Sequence, residues 1–327
     1  MTFLRETFKK YKGSLRSYKL VYYLNNLLQR RKLRHNKELY KKHGIQKSIF
    51  STIGHQDFTA KSKDIPWLNH PNALAAVQQH PDFKAFDEKT QAQILHFVTH
   101  GYLILKGFYS AAEMDLLATE VDNLLTKKKT DFNYTGKKIM DAFRFSPLID
   151  QQYFKNPRLL KLLNFLMGKK VVPFQTINFI EGSEQRAHSD SIHMTTEPEG
   201  YLIASWTALE KTHAGNGPLF YYPKSHRLPF VSCQDYLSGH STWQLGANSY
   251  KNYEDKIEAI LETEDFEKQY FYADKGDVLL WHANLIHGGS PITQSDATRK
   301  SMVSHYFCEE VICYHEISQR PAILDLE

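Results

Sequence analysis

Cysteine is scarce in this sequence. Its 327 residues include three cysteines, Cys233, Cys308 and Cys313. Three is too few for a disulfide framework, and an odd number cannot pair completely. Such usage favours a reducing compartment, and we expect the cytoplasm. No run of about 18 apolar residues occurs, so a transmembrane helix is excluded on length. Basic residues from Arg5 onward interrupt the first apolar positions, and we therefore expect no secretory signal.

Acidic residues are scarce in the first part of the chain. Residues 1–47 contain 14 Lys and Arg against two acids, whereas the remaining 280 residues contain 27 basic and 34 acidic side chains. A basic arm therefore precedes an acidic body. Its apolar residues recur at the three- and four-residue spacing of an amphipathic helix, namely Leu20, Tyr23, Leu24, Leu27 and Leu28.

The function of this arm has two interpretations. We favour a helix that packs its apolar stripe on the body. The alternative is peripheral attachment to an anionic membrane surface. The arm has no nucleic-acid reading motif, and we expect no specific nucleic-acid partner.

The sequence divides into two parts that differ in composition and in predicted secondary structure. We assign residues 1–60 to the basic arm and its connector and residues 61–327 to one domain. Prolines punctuate residues 48–90, and we expect little regular structure there. A strand is predicted at 101–106, a helix opened by the capping box Ser110–Glu113 follows, and another helix over Pro157–Met167 ends at Gly168.

From Val171 onward the sequence favours strands. Runs rich in β-branched and aromatic residues alternate with turn residues, and they cover 171–180, 201–209, 217–222, 277–281 and 301–307. Helices first and strands later predict a mostly β fold with flanking helices, an α+β arrangement. Nothing in the sequence indicates an oligomeric state.

The first candidate for chemistry is His188-Ser-Asp190. On a strand, residues two apart point to the same face, so an imidazole and a carboxylate would converge. A second histidine would complete the facial triad that binds iron(II) and leaves the opposite positions open. A hydrogen-bonded surface pair is the alternative interpretation of this short motif.

Further motifs follow in a fixed order. After Asp190 come Trp-Thr-Ala-Leu at 206–209, Asn-Gly-Pro-Leu at 216–219, Pro-Lys-Ser-His at 223–226, Gly-Asp at 276–277, His-Gly-Gly-Ser at 287–290 and Arg299. This ordered set resembles the phytanoyl-CoA dioxygenase family of iron(II)- and 2-oxoglutarate-dependent oxygenases, over about residues 90–310. The resemblance implies a double-stranded β-helix, a jelly-roll barrel with the metal inside, as the core of the fold.

The resemblance also implies roles for individual residues. It identifies His188 and Asp190 as proximal iron ligands and His287 as the distal ligand, and we prefer His287 over its competitor His282 because small residues follow it. Residues implied to contact the cosubstrate are Arg299, which would pair with the distal carboxylate of 2-oxoglutarate, Ser301 on the same face, Trp206, and Asn178, which we prefer to Gln175.

The implied cofactors are iron(II), 2-oxoglutarate as cosubstrate, and dioxygen. The expected reaction is oxidation of a small-molecule substrate with release of succinate and carbon dioxide. The resemblance favours hydroxylation over halogenation, because Asp190 fills the position where related halogenases carry a small residue. Two alternatives are a non-catalytic binding protein of the same fold and a metal-dependent hydrolase on a similar barrel. An arginine for a dicarboxylate favours the oxygenase.

Overall fold

The structure is a computed structural model that describes residues 17–324 except 59–61, 63, 134, 237–240, 242 and 247. In these described ranges, no helix has both the length and the apolar character required to cross a membrane. The predicted boundary between residues 60 and 61 lies in one of the gaps and stays a prediction.

Seven α-helices and twelve strands make up the regular structure of the described ranges. The helices are α1 (Lys19–Leu28), α2 (Asn36–Lys42), α3 (Ala73–Gln79), α4 (Glu88–His100), α5 (Ala111–Thr126), α6 (Pro157–Met167) and α7 (Ser249–Thr263). The strands are β1 (Tyr102–Leu105), β2 (Ile139–Met140), β3 (Val171–Phe179), β4 (Thr195–Glu197), β5 (Leu202–Ala208), β6 (Leu219–Tyr221), β7 (Gln269–Phe271), β8 (Val278–His282), β9 (His287–Gly289), β10 (Ser301–Cys308), β11 (Ile312–His315) and β12 (Arg320–Pro321).

Three antiparallel sheets form the core. The large sheet has the strand order β1-β8-β5-β10-β3-β2, and the small sheets have the orders β12-β11-β4 and β7-β6-β9. Alternation along each strand gives the large sheet two apolar faces. One face, with Met302 and Tyr306, packs on helices α3 to α6. The other, with Trp206 and Trp281, packs on Leu219 of the β7-β6-β9 sheet.

Two predicted helices are confirmed together with their end signals. Ser110 and Glu113 form the reciprocal capping box that opens α5, and the side chain of Ser110 accepts from the backbone N–H of Glu113. Helix α6 ends at Gly168, whose φ of +63° is left-handed. The five predicted strand runs correspond to β3, β5, β6, β8 and β10.

Two expectations are wrong. Residues 48–90 are not a loose connector, because α3 and several 3-10 turns bury Leu68, Val77 and Phe83 in the helical core. The region after Val171 is not β throughout, because α7 lies between β6 and β7. Tyr253 and Ile257 of α7 are buried, and this four-residue spacing was the signal available in the sequence.

The helix of the basic arm forms as predicted, but the interpretation that we favoured for its stripe is wrong. Leu28 is 84% exposed and Leu20 is 56% exposed. The buried residue of α1 is the polar Asn26, whose Nδ2 donates to the carbonyl of Phe50 at 3.0 Å. Apolar attachment to the body comes later, where Tyr40 packs on β11.

The Gly-Asp motif fixes the entry to β8, the strand that carries Trp281 to the central cavity. Gly276 has a φ of +90°, and its carbonyl accepts from the N–H of Tyr109 at 3.0 Å. The buried carboxylate of Asp277 accepts from the N–H of Gly107 at 2.8 Å and from Lys106 Nζ at 2.7 Å. These bonds tie the β1–α5 turn to β8.

Replacement of Gly276 by alanine should destabilise the fold strongly. A Cβ at this position would lie 2.0 Å from the carbonyl oxygen of Tyr109, and the left-handed φ adds a further penalty. We expect a loss of at least about 3 kcal/mol in the free energy of unfolding, measured by urea denaturation. The matched control Gly107→Ala has a φ of +59° but open space around it, and should lose only about 1–2 kcal/mol. Equal losses would contradict this account.

Candidate active site

A cavity of about 610 Å³ lies between the inner face of the large sheet and the small sheets. Strands β3, β5, β8 and β10 provide one wall through Gln175, Trp206, Trp281 and His305. The opposite side includes Leu219 of β6 and residues of β9. His188, Asp190 and His287 line this cavity together.

Backbone pairing brings the two histidines together. His188 N–H donates to the carbonyl of His287, and His287 N–H donates to the carbonyl of His188, each at 2.9 Å. This pair is an isolated antiparallel bridge, and the ring centroids lie 4.5 Å apart. His188 is therefore not part of a regular strand as expected, and Asp190 begins a 3-10 turn instead.

The ring nitrogens of both histidines are oriented by backbone carbonyls. His188 Nδ1 lies 2.8 Å from the carbonyl of Arg186, and His287 Nδ1 lies 2.9 Å from that of Leu285. A carbonyl oxygen can only accept a hydrogen bond, so these contacts place a proton on each Nδ1. Each Nε2 is then the nitrogen that can bind a metal ion. Both Nε2 atoms then face the same point in the cavity.

Asp190 completes the cluster and is itself held in place. Its Oδ2 accepts from Trp281 Nε1 at 2.8 Å and lies 3.4 Å from His305 Nε2. Its Oδ1 lies 3.9 Å from His188 Nε2 and 3.7 Å from His287 Nε2. One carboxylate oxygen therefore accepts from Trp281 with His305 close by, and the other faces the two imidazoles.

This arrangement fits a divalent metal ion. One ligand atom from each of His188, Asp190 and His287 lies within 4.8 Å of the others. Burial, reinforced by His287, holds the pKa of His188 well below its ordinary value, so the ring is neutral and able to bind. Burial opposes charge on Asp190, but His287 and His305 outweigh it and keep the pKa of the carboxyl low. Two imidazoles and one carboxylate form the facial set typical of non-haem iron(II).

His282, the competing ligand, lies outside this cluster. Its Nδ1 accepts from the N–H of Asn284 at 3.0 Å, and its Nε2 lies 3.1 Å from Nδ2 of Asn69. Burial lowers the pKa of His282 to about 4. It packs as a neutral histidine at the end of β8, outside the cavity wall.

The reason that favoured His287 needs correction. Gly288 and Gly289 do not make room for a metal. A Cβ on Gly288 would lie 2.4 Å from the ring of Phe220, and one on Gly289 would lie 2.4 Å from Ser183 Oγ. The two glycines admit neighbouring chain segments, and this close packing places β9 beside the loop that carries His188.

Arg299 forms a buried cationic pocket beside the cluster. Its side chain is 2% exposed, and Nε and Nη1 have no hydrogen-bond partner among the described residues. Its guanidinium carbon lies 5.4 Å from the ring centre of Trp206 and 5.8 Å from that of Phe179. Burial lowers the pKa of Arg299 to about 10, so the side chain remains charged at neutral pH. Unpartnered N–H groups on a buried cation fit a carboxylate ligand.

Two other residues named for the cosubstrate lie near Arg299. Trp206 lines the cavity wall and is 1% exposed. Ser301 lies on the same face of β10 as Val303 and His305, and its hydroxyl is buried without a partner in the described structure. Their roles stay predictions.

Asn178 is a predicted site residue whose placement contradicts the prediction. Along β3, Gln175, Ile177 and Phe179 line the cavity, and Asn178 points to the other face of the sheet. The alternation itself was foreseen. The prediction of which side chains face the cavity was wrong. Phe179 packs against Arg299 and Trp206 on the cavity side, so the adjacent Asn178 points to the other face.

Sequence reasoning missed three residues of the cavity. His305 shares the alternation of Val303 on β10, which was the available signal, and Trp281 precedes His282 in a run interpreted only as a strand. Lys138 lies on the cavity wall with its Nζ 3.1 Å from Gln185 Oε1. It lies in a polar stretch, Gly136-Lys-Lys138, and no sequence signal distinguishes it from its neighbour.

The sequence is similar to those of known dioxygenases. The family profile described as "Phytanoyl-CoA dioxygenase (PhyH)" matches residues 97–301. The peroxisomal phytanoyl-CoA dioxygenase of Bos taurus is 23% identical over 236 residues, which are 63% of this chain and 65% of the bovine protein. The ectoine dioxygenase of Halomonas elongata is 25% identical over 259 residues, which are 72% of this chain and 74% of that protein.

The fold is also similar to solved structures. The structure of EctD from S. alaskensis with bound Fe matches with a TM-score of 0.52 and 21% identity, covering 66% of this chain and 76% of the other. An identity this low shows the fold alone. The likeness and the sheets described above confirm the predicted α+β class with a double-stranded β-helix core.

Substitutions of His287 and His282 provide a direct test of the metal cluster. Replacing His287 by alanine removes one ligand atom and should weaken Fe²⁺ binding by more than roughly 100-fold, since losing even a supporting residue typically costs 10–100-fold. The measurement is bound Fe²⁺ per chain after anaerobic gel filtration. The control His282→Gln should retain iron. Iron loss in the control with retention in His287→Ala would reverse the assignment.

Proposed function

Since the chain belongs to the phytanoyl-CoA dioxygenase family of iron(II)- and 2-oxoglutarate-dependent oxygenases, we propose that it hydroxylates a small organic substrate held in its central cavity. His188, Asp190 and His287 hold the iron in this proposal, and Arg299 holds the cosubstrate. The substrate is a free small molecule or one linked to a lipid or glycan. The observation that supports this proposal most strongly is the buried His-Asp-His cluster. It lies beside a buried arginine whose Nε and Nη1 have no hydrogen-bond partner among the described residues.

The family's cofactors supply the oxidising chemistry, in which 2-oxoglutarate and dioxygen become succinate and carbon dioxide as the substrate is oxidised. The protein residues contribute geometry. Trp281 orients the carboxylate of Asp190, and the carbonyls of Arg186 and Leu285 orient the imidazole rings. Such supporting contacts keep ligands in a binding geometry.

Arg299 favours an oxygenase over a hydrolase. A planar guanidinium buried between Phe179 and Trp206 can form two parallel hydrogen bonds to one carboxylate, and hydrolysis requires no such dicarboxylate pocket. Gly182 helps to admit the side chain, since a Cβ there would lie 3.3 Å from Arg299 Nε. The aromatic walls exclude water and so strengthen this pairing.

The outcome proposed is hydroxylation. A carboxylate at position 190 occupies the place that family halogenases leave for chloride, so this chain retains the complete ligand set. The bovine relative is named for phytanoyl-CoA and the Halomonas relative for ectoine, two chemically different molecules. The family therefore does not determine the substrate of this protein.

The compartment is proposed to be the cytoplasm. Cys233, Cys308 and Cys313 are all buried, and none forms a disulfide. Burial raises the pKa of Cys308 and of Cys313, so neither is a reactive thiolate at neutral pH. Three buried free cysteines support a reducing environment.

Arg299 provides the test of the proposed function. Anaerobic addition of 2-oxoglutarate to the Fe²⁺-loaded protein should produce the visible charge-transfer absorbance of a chelate, and its titration gives a dissociation constant. In Arg299→Ala, loss of a charge-assisted pair should cost about 2–4 kcal/mol, a rise of at least roughly 30-fold in that constant. Arg299→Lys keeps the positive charge but lacks the planar group that forms two parallel hydrogen bonds. Its dissociation constant should therefore lie between those of the wild type and Arg299→Ala.

Fe²⁺ binding by Arg299→Ala should remain close to wild type, because the side chain holds no metal. Absence of the absorbance in the wild-type protein would contradict the oxygenase proposal. An unchanged dissociation constant in Arg299→Ala would remove this residue from the cosubstrate pocket.

Lys138 supports a more specific statement about the substrate. Its side chain is largely buried in the cavity wall, burial lowers its pKa, and no carboxylate of the described residues lies within ion-pair distance of it. Gln185 accepts from its Nζ at 3.1 Å, and the amide nitrogen of Gln185 donates to the hydroxyl of Tyr250 at 2.7 Å. The ammonium is thus held in position with donors to spare. We therefore expect a carboxylate or phosphate group on the substrate.

Lys138→Gln should raise the KM for the substrate at least roughly tenfold, since a hydrogen bond to a charged group contributes about 1.5–3 kcal/mol. The assay is succinate release dependent on an added metabolite fraction. The dissociation constant for 2-oxoglutarate should stay unchanged. The adjacent Lys137, which pairs with Glu184, provides the control Lys137→Gln. An active fraction that passes unretained through an anion-exchange column would contradict an anionic substrate.

A further inference from the structure

An apolar stripe on α1 faces solvent. Its five side chains are exposed by 38% at Tyr23, 40% at Leu27, 53% at Leu24, 56% at Leu20 and 84% at Leu28. They occupy positions i, i+3, i+4, i+7 and i+8, and so form one continuous face of the helix. Exposed leucines grouped in this way mark interaction surfaces in soluble proteins.

Polar and backbone contacts hold α1 with this face outward. On the opposite side, Asn26 donates to the carbonyl of Phe50 at 3.0 Å. At the start of the helix, Lys19 N–H donates to the carbonyl of Trp243 at 2.9 Å, and Leu245 N–H donates to the carbonyl of Ser17 at 2.8 Å. The orientation is therefore fixed by hydrogen bonds that bury polar groups and leave the leucines in water.

An exposed tryptophan lies beside the stripe. Trp243 is 71% exposed, and Tyr18, which precedes α1, is 43% exposed. The hydrogen bond from Lys19 N–H to the Trp243 carbonyl places the two segments side by side. Tryptophan and tyrosine are enriched at the boundary between lipid and water, where an apolar ring and a polar tip are both accommodated.

Basic residues surround this surface. Residues 17–47 contain nine Lys and Arg and one acid, Glu38. Arg30, Arg31 and Arg34, directly after α1, are all exposed. The remaining 280 residues carry 27 basic and 34 acidic side chains, so the excess of positive charge lies in residues 1–47. Basic side chains near an apolar face complement a negatively charged bilayer surface.

We propose that the stripe of α1 together with Trp243 is a docking surface for an anionic lipid bilayer. The helix lies in the plane of the interface with Leu20, Leu24 and Leu28 among the acyl chains and the arginines against phosphate groups. Aromatic residues at the edge and a helix of ten residues suit this shallow placement.

Docking would bring the central cavity to the membrane. Asn25 of α1 and Gln29 and Lys32 just after it line that cavity. The same segment therefore contacts both the bilayer and the opening to the site. This consequence rests on the proposed function, and it favours a substrate with an anionic head group presented at the lipid surface. The docking itself does not depend on iron, 2-oxoglutarate or turnover.

Vesicle flotation with the full chain tests the docking surface. At low salt, the protein should float with vesicles of phosphatidylcholine and phosphatidylserine and remain at the bottom with phosphatidylcholine alone, and raising the salt should release it. The double variant Leu24→Glu/Leu28→Glu should reduce the bound fraction at least tenfold. Arg30→Glu/Arg31→Glu should have a comparable effect on anionic vesicles. Leu116→Glu, at a leucine of α5 that is 48% exposed, is the matched control and should bind as wild type.

Three results would overturn the proposal. One is absence of flotation at low salt by the wild-type chain. Another is a marked fall in melting temperature in Leu24→Glu/Leu28→Glu, because the stripe would then pack against residues of this chain. The third is a wild-type dimer in light scattering that this variant converts to a monomer, because a second copy would then cover the stripe. Anaerobic 2-oxoglutarate binding by the same variant should remain normal, which separates this test from that of the oxygenase.

Discussion

The candidate site depends on one reciprocal pair of backbone hydrogen bonds, those between His188 and His287. They join the loop after β3 to the first residue of β9, two segments distant in the chain. Because each N–H donates to the other carbonyl, the backbone sets the separation of the two imidazoles before any metal binds. Gly288 and Gly289 allow this pairing by admitting Phe220 and the 183–185 segment. The glycines after the distal histidine thus serve the metal indirectly.

The carboxylate is oriented by a different principle. Asp190 lies on a 3-10 turn, so no ladder of backbone bonds fixes its side chain. Instead Trp281 of β8 donates to its Oδ2, and His305 of β10 lies 3.4 Å from the same oxygen. The remaining oxygen faces the imidazoles, and the cluster is complete only when the loop and the sheet are in register. That requirement explains why the Gly276–Asp277 entry to β8 lies far from the chemistry yet bears on it.

The family resemblance carried by the ordered motifs located the site well: His188, Asp190, His287 and Arg299 all line one cavity. The preference for Asn178 over Gln175 was wrong, since alternation gives two faces and only the packing of Phe179 decides which face is inward. Sequence reasoning also misplaced the stripe of α1. An amphipathic pattern shows that one face is apolar, and whether protein, lipid or water meets that face depends on the rest of the fold, here on the bond of Asn26 to Phe50.

Two cations, the buried Arg299 and the partly buried Lys138, distinguish the cavity from an ordinary apolar core. Arg299 and Lys138 each lie in its wall with no carboxylate of the described residues within ion-pair distance, although burying an unpaired charge is costly. The fold tolerates this cost because aromatic faces and the amide of Gln185 offset part of it. An anion bound at either position would offset the remainder, and this gain would contribute to the binding free energy of that anion. In the proposed function the two cations would act as specificity elements, Arg299 for the cosubstrate and Lys138 for the substrate.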